Sequence, residues 1–110
     1  MANASKAKGD RAELEVQGFI REELGFPARR ALGAGRKDDV GDIANVPRTV
    51  IQVVSTKDIA RAVREKPLEA EEQRKRAGAT FAVTAVRLRG GEYRYVLTPS
   101  QWATYAREVL

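Results

Sequence analysis

The segment Thr49-Val50-Ile51-Gln52-Val53-Val54 constrains the fold more than any other stretch of the chain. All of its residues but Gln52 are β-branched, and such side chains suit a pleated surface. A run that does not alternate between apolar and polar residues suits a central strand covered on both faces. Gln52 is then the one polar side chain within it, on the face it shares with Val50 and Val54. A second buried strand reads from residues 80–88. Between the two strands the pattern is helical. Residues 58–65 form a helical turn or two. Pro67 takes the first position of a further helix, in which Glu69, Glu71 and Glu72 come early and Arg74, Lys75 and Arg76 late, as the helix dipole favours, and Gly78 ends it.

The flanking segments complete an α/β pattern. A first helix is expected from Asp10, as its cap, to Gly25, with Pro27 as a stop and Val16, Ile20 and Leu24 on its apolar face. Glu13 falls beside that face, an unusual place for a carboxylate without a partner. Extended segments at residues 28–32, 41–46 and 49–54 read as consecutive antiparallel strands. Arg89-Gly90-Gly91 is a hairpin loop leading to a strand at 92–97, and Thr98-Pro99-Ser100-Gln101 has the form of a capping box opening a last helix with Trp102, Tyr105 and Val109. The order α-β-β-β-α-β-β-α predicts a mixed central sheet flanked by helices. Residues 1–8 form a loose basic arm, and residues 9–110 one domain.

Composition narrows the chemistry. The chain has 110 residues, 20 Lys and Arg against 15 Asp and Glu, and neither His nor Cys. Disulfides, thiol chemistry, structural zinc and His-based triads are therefore excluded, and any metal would be a hard ion held by oxygen. The net charge of +5 favours a polyanionic partner. No apolar run approaches the roughly 20 residues of a membrane span, and the opening residues lack the apolar core of a signal peptide, which points to a soluble, cytoplasmic chain.

Two carboxylates stand out, Glu13 on the first helix and Asp42 before Ile43, with Asp42 brought by a hairpin beside Gln52. Lys8-Gly9, Glu13, Gly25-Phe26-Pro27 with Arg29 and Arg30, Gly41-Asp42-Ile43 and residues 50–57 together resemble the PD-(D/E)XK nuclease superfamily, and more narrowly the archaeal and phage-type Holliday junction resolvases. The resemblance spans residues 8–97. It implies a restriction-endonuclease-like α-β-β-β-α-β core. It also implies an endonuclease centre in which a helix Glu, a strand Asp and the Glu of an E-x-K step hold Mg²⁺ or Mn²⁺, while the Lys acts on the attacking water. Carried over, the catalytic and metal-holding positions are Glu13, Asp42 and Gln52. The chain departs from the pattern twice, with Gln52 where the family has Glu and Val54 where it has Lys. The first loses a negative charge from a hard-cation site, and the second removes an amine typically worth about 10²–10⁴ in rate. Lys57 is the one displaced candidate for the catalytic amine, although alternation puts it on the opposite strand face from Val54. Impaired catalysis is the expectation.

Plainer roles remain open for the same residues. Glu13 stands three after Asp10 and completes a capping-box spacing, Asp42 suits a turn, and Gln52 suits a core amide satisfied by the backbone. Arg29, Arg30, Arg36 and Lys37, with Lys8 on the arm, read as phosphate contacts for branched or duplex DNA. The last helix, with Trp102, Tyr105 and Val109, reads as core or as the contact of a homodimer. The leading expectation is thus a resolvase-like DNA-binding protein with an eroded site. The rivals are an active metal-dependent endonuclease using Lys57, and a non-enzymatic phage or regulatory protein that binds another protein.

Overall fold

The computed structural model describes residues 4–31 and 41–110. In chain order its elements are α1 (Ala4–Leu24), β1 (Arg29–Arg30), β2 (Ile43–Ala44), β3 (Thr49–Ser55), α2 (Ile59–Ala77), β4 (Phe81–Arg87), β5 (Tyr93–Val96) and α3 (Pro99–Val109). The five strands form one sheet in the order β1-β2-β3-β4-β5. Only β3 and β4 run parallel, from Thr49 opposite Phe81 to Ser55 opposite Arg87, and the other neighbours are antiparallel. A parallel pair needs a crossover, which α2 supplies.

Strand alternation sorts the core into two layers. Val16 and Ile20 of α1 pack with Ile43, Ile51, Val83 and Ala85. Val54 and Val86, on the opposite face, pack with Ala62 of α2. Helices therefore cover both faces of the central pair, which explains a strand such as β3 whose residues 50–52 and 54 are all buried. The same parity puts Gln52 and its neighbour Thr84 on the α2 face. The third helix packs against α2 and the start of β4. Tyr105 stacks on Phe81 with ring centroids 4.3 Å apart, and buried Gln101 donates to the Pro67 carbonyl at 3.0 Å. The anticipated capping box is present, with Thr98 Oγ1 accepting from Gln101 N and Gln101 Oε1 accepting from Thr98 N.

Three boundaries differ from the sequence reading. The first helix starts at Ala4 and not at Asp10, so Lys8 lies on a helix and Asp10 is a helix-interior residue whose carboxylate is used elsewhere. The second helix is continuous through Pro67, which is buried against α3, with Asp58 as its cap accepting from Arg61 N at 3.0 Å. Proline is disfavoured in a helix interior because it lacks an N–H and crowds the preceding turn; here the helix continues on both sides and packs on the sheet and on α3. The first two strands are short, and the part of the expected strand at residue 32 lies outside the described residues. No helix is long and apolar enough to cross a membrane among the described residues.

Candidate functional site

The candidate site gathers where α1 passes β1 and where β2 begins. Gly41 adopts φ +82°, and a β-carbon there would come within 2.8 Å of the Ile51 carbonyl, so only glycine lets the chain approach β3 this closely. That approach positions the next residue. Asp42 N donates to the Ile51 carbonyl at 2.8 Å, and Asp42 Oδ2 accepts from Val53 N at 2.8 Å. The Asp42 carboxylate therefore replaces a strand partner just before β2 begins, immediately beside Gln52. The expected adjacency of Asp42 and Gln52 is present, but one carboxylate oxygen is committed to the backbone.

Glu13 belongs to a different cluster. The Arg30 guanidinium donates to Glu13 Oε1 at 3.0 Å and to Asp10 Oδ1 at 2.5 Å, with the Arg30 side chain only 18 % exposed. The backbone N–H of Arg30 donates to Gln17 Oε1 at 2.8 Å. One face of α1, through Asp10, Glu13 and Gln17, thus holds β1 by charge and by backbone. Arg30 was expected to face phosphate; it points inward, because two carboxylates one helical turn apart supply a better-fitted counter-charge than solvent. Asp10 was expected to cap the helix; it serves this pair instead.

The nominated residues are accordingly divided. Among the described residues no hydrogen bond or ion pair joins Glu13 to Asp42 or Gln52. Glu13 comes from α1, on one side of the sheet, whereas Gln52 is buried on the side covered by α2. Lys57 is exposed in the turn between β3 and α2. Lys8 and Arg29 are exposed, and Arg36 and Lys37 lie outside the described residues.

A divalent metal does not fit the residues that the resemblance nominates. The charge of Glu13 is matched by Arg30, Asp42 is bound to a backbone amide, and Gln52 brings no charge. Among the described residues no three carboxylates are grouped closely enough to share an ion.

A third polar cluster escaped sequence reasoning. Glu15 Oε1 accepts from Arg87 Nε at 2.8 Å and from Tyr93 Oη at 2.6 Å, and Tyr93 Oη also lies 3.2 Å from the Ala12 carbonyl. These bonds hold the Glu15 carboxyl below its ordinary pKa, the Arg87 contact first and the Tyr93 hydroxyl next. Burial, followed by the adjoining carboxylate, pushes the Tyr93 hydroxyl upward. The partners lie more than 70 positions apart in sequence. The only available signal was that Arg87 and Tyr93 flank one hairpin at positions facing the same way.

Comparisons with models of protein families, with curated proteins and with solved structures gave no match.

Proposed function

We propose that this chain is a DNA-binding protein on a restriction-endonuclease-like core, similar to the Holliday junction resolvases, that no longer cuts. The observation that carries the reading is Arg30 seated on Glu13 and Asp10. A protein side chain supplies, on the acid the family would give to metal, the positive charge that an ion would otherwise bring. Several features support the core assignment: the α-β-β-β-α-β order, the antiparallel β1-β2-β3 arrangement leading into a parallel crossover, and Asp42 at the beginning of β2 beside Gln52. Gln52 and Val54 at the E-x-K positions agree with lost catalysis, since neither supplies charge or a proton acceptor.

DNA is held through phosphates in this reading, by Lys8 and Arg29 and by Arg36 and Lys37 of the intervening segment, with Arg30 withdrawn from that list. The working unit is a homodimer joined through α3, acting in the cytoplasm of a bacterial or phage-infected cell. Exposed Trp102 and Val109 on α3 favour that interface. The test combines a gel shift on a four-way junction and on duplex with a nicking assay in Mg²⁺ and Mn²⁺. Binding without cleavage is expected. Turnover abolished by Asp42→Ala would overturn the loss of catalysis in favour of the endonuclease reading, and absence of any shift would overturn DNA binding in favour of a protein partner.

A further inference from the structure

We infer that two copies of this chain join edge to edge through β5, antiparallel across a two-fold axis at Tyr95, so that their sheets become one. The inference rests on the homodimer proposed above and gives it a surface beyond α3. β5 is the last strand of the sheet and pairs with β4 on one side only. Leu88 N donates to the Glu92 carbonyl at 2.6 Å, and the same register continues from Arg87 opposite Tyr93 to Thr84 opposite Val96. Antiparallel ladders alternate, so Arg94 and Val96 turn their backbone groups towards β4 while Tyr93 and Tyr95 turn theirs outward. The Tyr93 carbonyl agrees, since it accepts from the exposed Arg94 guanidinium at 2.8 Å. Outward amides and carbonyls on an edge strand are a template for another strand.

The edge is apolar on the face that α1 covers. Tyr95 lies opposite Ala85, a member of the core layer under α1, and its ring meets Phe19 of α1 edge-on with centroids 5.8 Å apart. Phe19 is nevertheless 50 % exposed and Tyr95 38 %. Two rings held against each other at the margin of the sheet thus lack the cover that the rest of their layer has. Strand pairing supplies it. Residues opposite each other in a ladder share a face, so a second copy lays its own Tyr95 and Phe19 beside this pair.

The sequence of the edge selects the register. An axis at Arg94 would oppose Arg94 to itself, and like charges directly opposite are unfavourable. An axis at Tyr93 would oppose Tyr95 to Gly91, whose φ of +88° takes it out of the extended range. An axis at Val96 would oppose Tyr93 to Pro99, which belongs to α3. With the axis at Tyr95, this residue faces its own counterpart, Tyr93 faces Leu97 and Arg94 faces Val96, which closes about six backbone hydrogen bonds and opposes no like charges. A foreign peptide would meet the same backbone groups, but a second copy also brings the aromatic pair and a charge pattern compatible with its own. Trp102, exposed in the opening turn of α3, follows this strand closely, so the α3 contact and the β5 edge are neighbours along the chain.

The test uses the full chain with the variants Tyr95→Lys and Trp102→Glu, each checked for folding by circular dichroism. Sedimentation from micromolar to near-millimolar concentration reads the assembly, and hydrogen exchange followed by NMR reads the edge. Tyr95→Lys sets two ammonium groups against each other at the axis and is expected to weaken self-association at least about tenfold. In the native chain the Tyr95 amide is expected to exchange about tenfold more slowly at high concentration than at low, while the amides of Arg94 and Val96, already bonded to β4, do not change. A native dimer that Trp102→Glu dissociates and Tyr95→Lys does not would overturn this surface and leave the dimer standing. So would a native dimer whose Tyr95 amide exchanges at one rate throughout. A native monomer at every concentration would overturn the dimer and this inference with it, leaving DNA binding to the gel shift.

Discussion

Replacing Arg30 by methionine tests whether this guanidinium is a structural tie or a DNA contact. The change deletes the contacts to Glu13 at 3.0 Å and Asp10 at 2.5 Å, while the Arg30 N–H to Gln17 bond survives. A hydrogen bond to a charged group contributes about 1.5–3 kcal/mol when enclosed, and an exposed ion pair well under 1 kcal/mol. With side chains 18 % exposed for Arg30, 23 % for Glu13 and 37 % for Asp10, these contacts fall between the two limits. Two like charges are also left one turn apart on α1, at a further cost of a few tenths of a kcal/mol. The expected loss is about 2 kcal/mol, which lowers Tm by about 10 °C for a domain of this size. Thermal melts of Arg30→Met, Glu13→Gln and the double variant close a mutant cycle, with a coupling of about 1 kcal/mol expected for residues in contact. A Tm within about 2 °C of native together with a coupling under about 0.3 kcal/mol would show a solvated guanidinium and return Arg30 to the phosphate contacts.

Other outcomes follow from the same geometry. Because the folded Glu15 pKa is depressed, its contribution is present above the unfolded carboxylate value and lost as pH falls through the folded one. The raised Tyr93 pKa acts in the opposite direction, its contribution being complete below the unfolded tyrosine value of about 10 and lost as pH rises beyond it. Urea melts across pH should therefore show Tyr93→Phe losing less stability than the native chain above about pH 10, and parallel profiles would refute the assignment. Gln101→Ala should cost about 2–3 kcal/mol, since it removes half of the α3 capping box and the buried bond to the Pro67 carbonyl; a loss below about 1 kcal/mol by chemical denaturation would show that α3 is held by its apolar face alone. Light scattering should give twice the monomer mass for the native chain and a monomer for Trp102→Glu, and a native monomer would remove the dimer.

The parts of the fold legible in the sequence were those specified by local chemistry. The unbroken β-branched run gave β3, Gly90-Gly91 gave the β4–β5 turn, and Thr98 with Gln101 gave the start of α3. Pro67 misled because a local rule against helix-interior proline was outweighed by burial of the helix around it. The candidate site was legible to the extent of Asp42 beside Gln52, where a glycine and a hairpin fix the neighbourhood. Arg30 was identified as basic but its direction was not. A charge chooses its partner by tertiary placement, and nothing in residues 28–32 says that Asp10 and Glu13 stand opposite. The Glu15 cluster was invisible for the same reason.

The parallel pairing of β3 with β4 carries a kinetic consequence. Thr49 and Phe81, the first partners of that ladder, are 32 positions apart, so no rung between these strands can close until the intervening chain has been drawn in. The β4–β5 hairpin and α2 are local and pay little closure entropy, whereas the central ladder must await them. Assembly of this protein is then gated by α2 docking on a sheet only partly formed. Substitutions that enlarge Ala62 or Ala70, the small buried contacts on α2, would register first as slower refolding in stopped-flow traces, ahead of any change in the architecture finally reached.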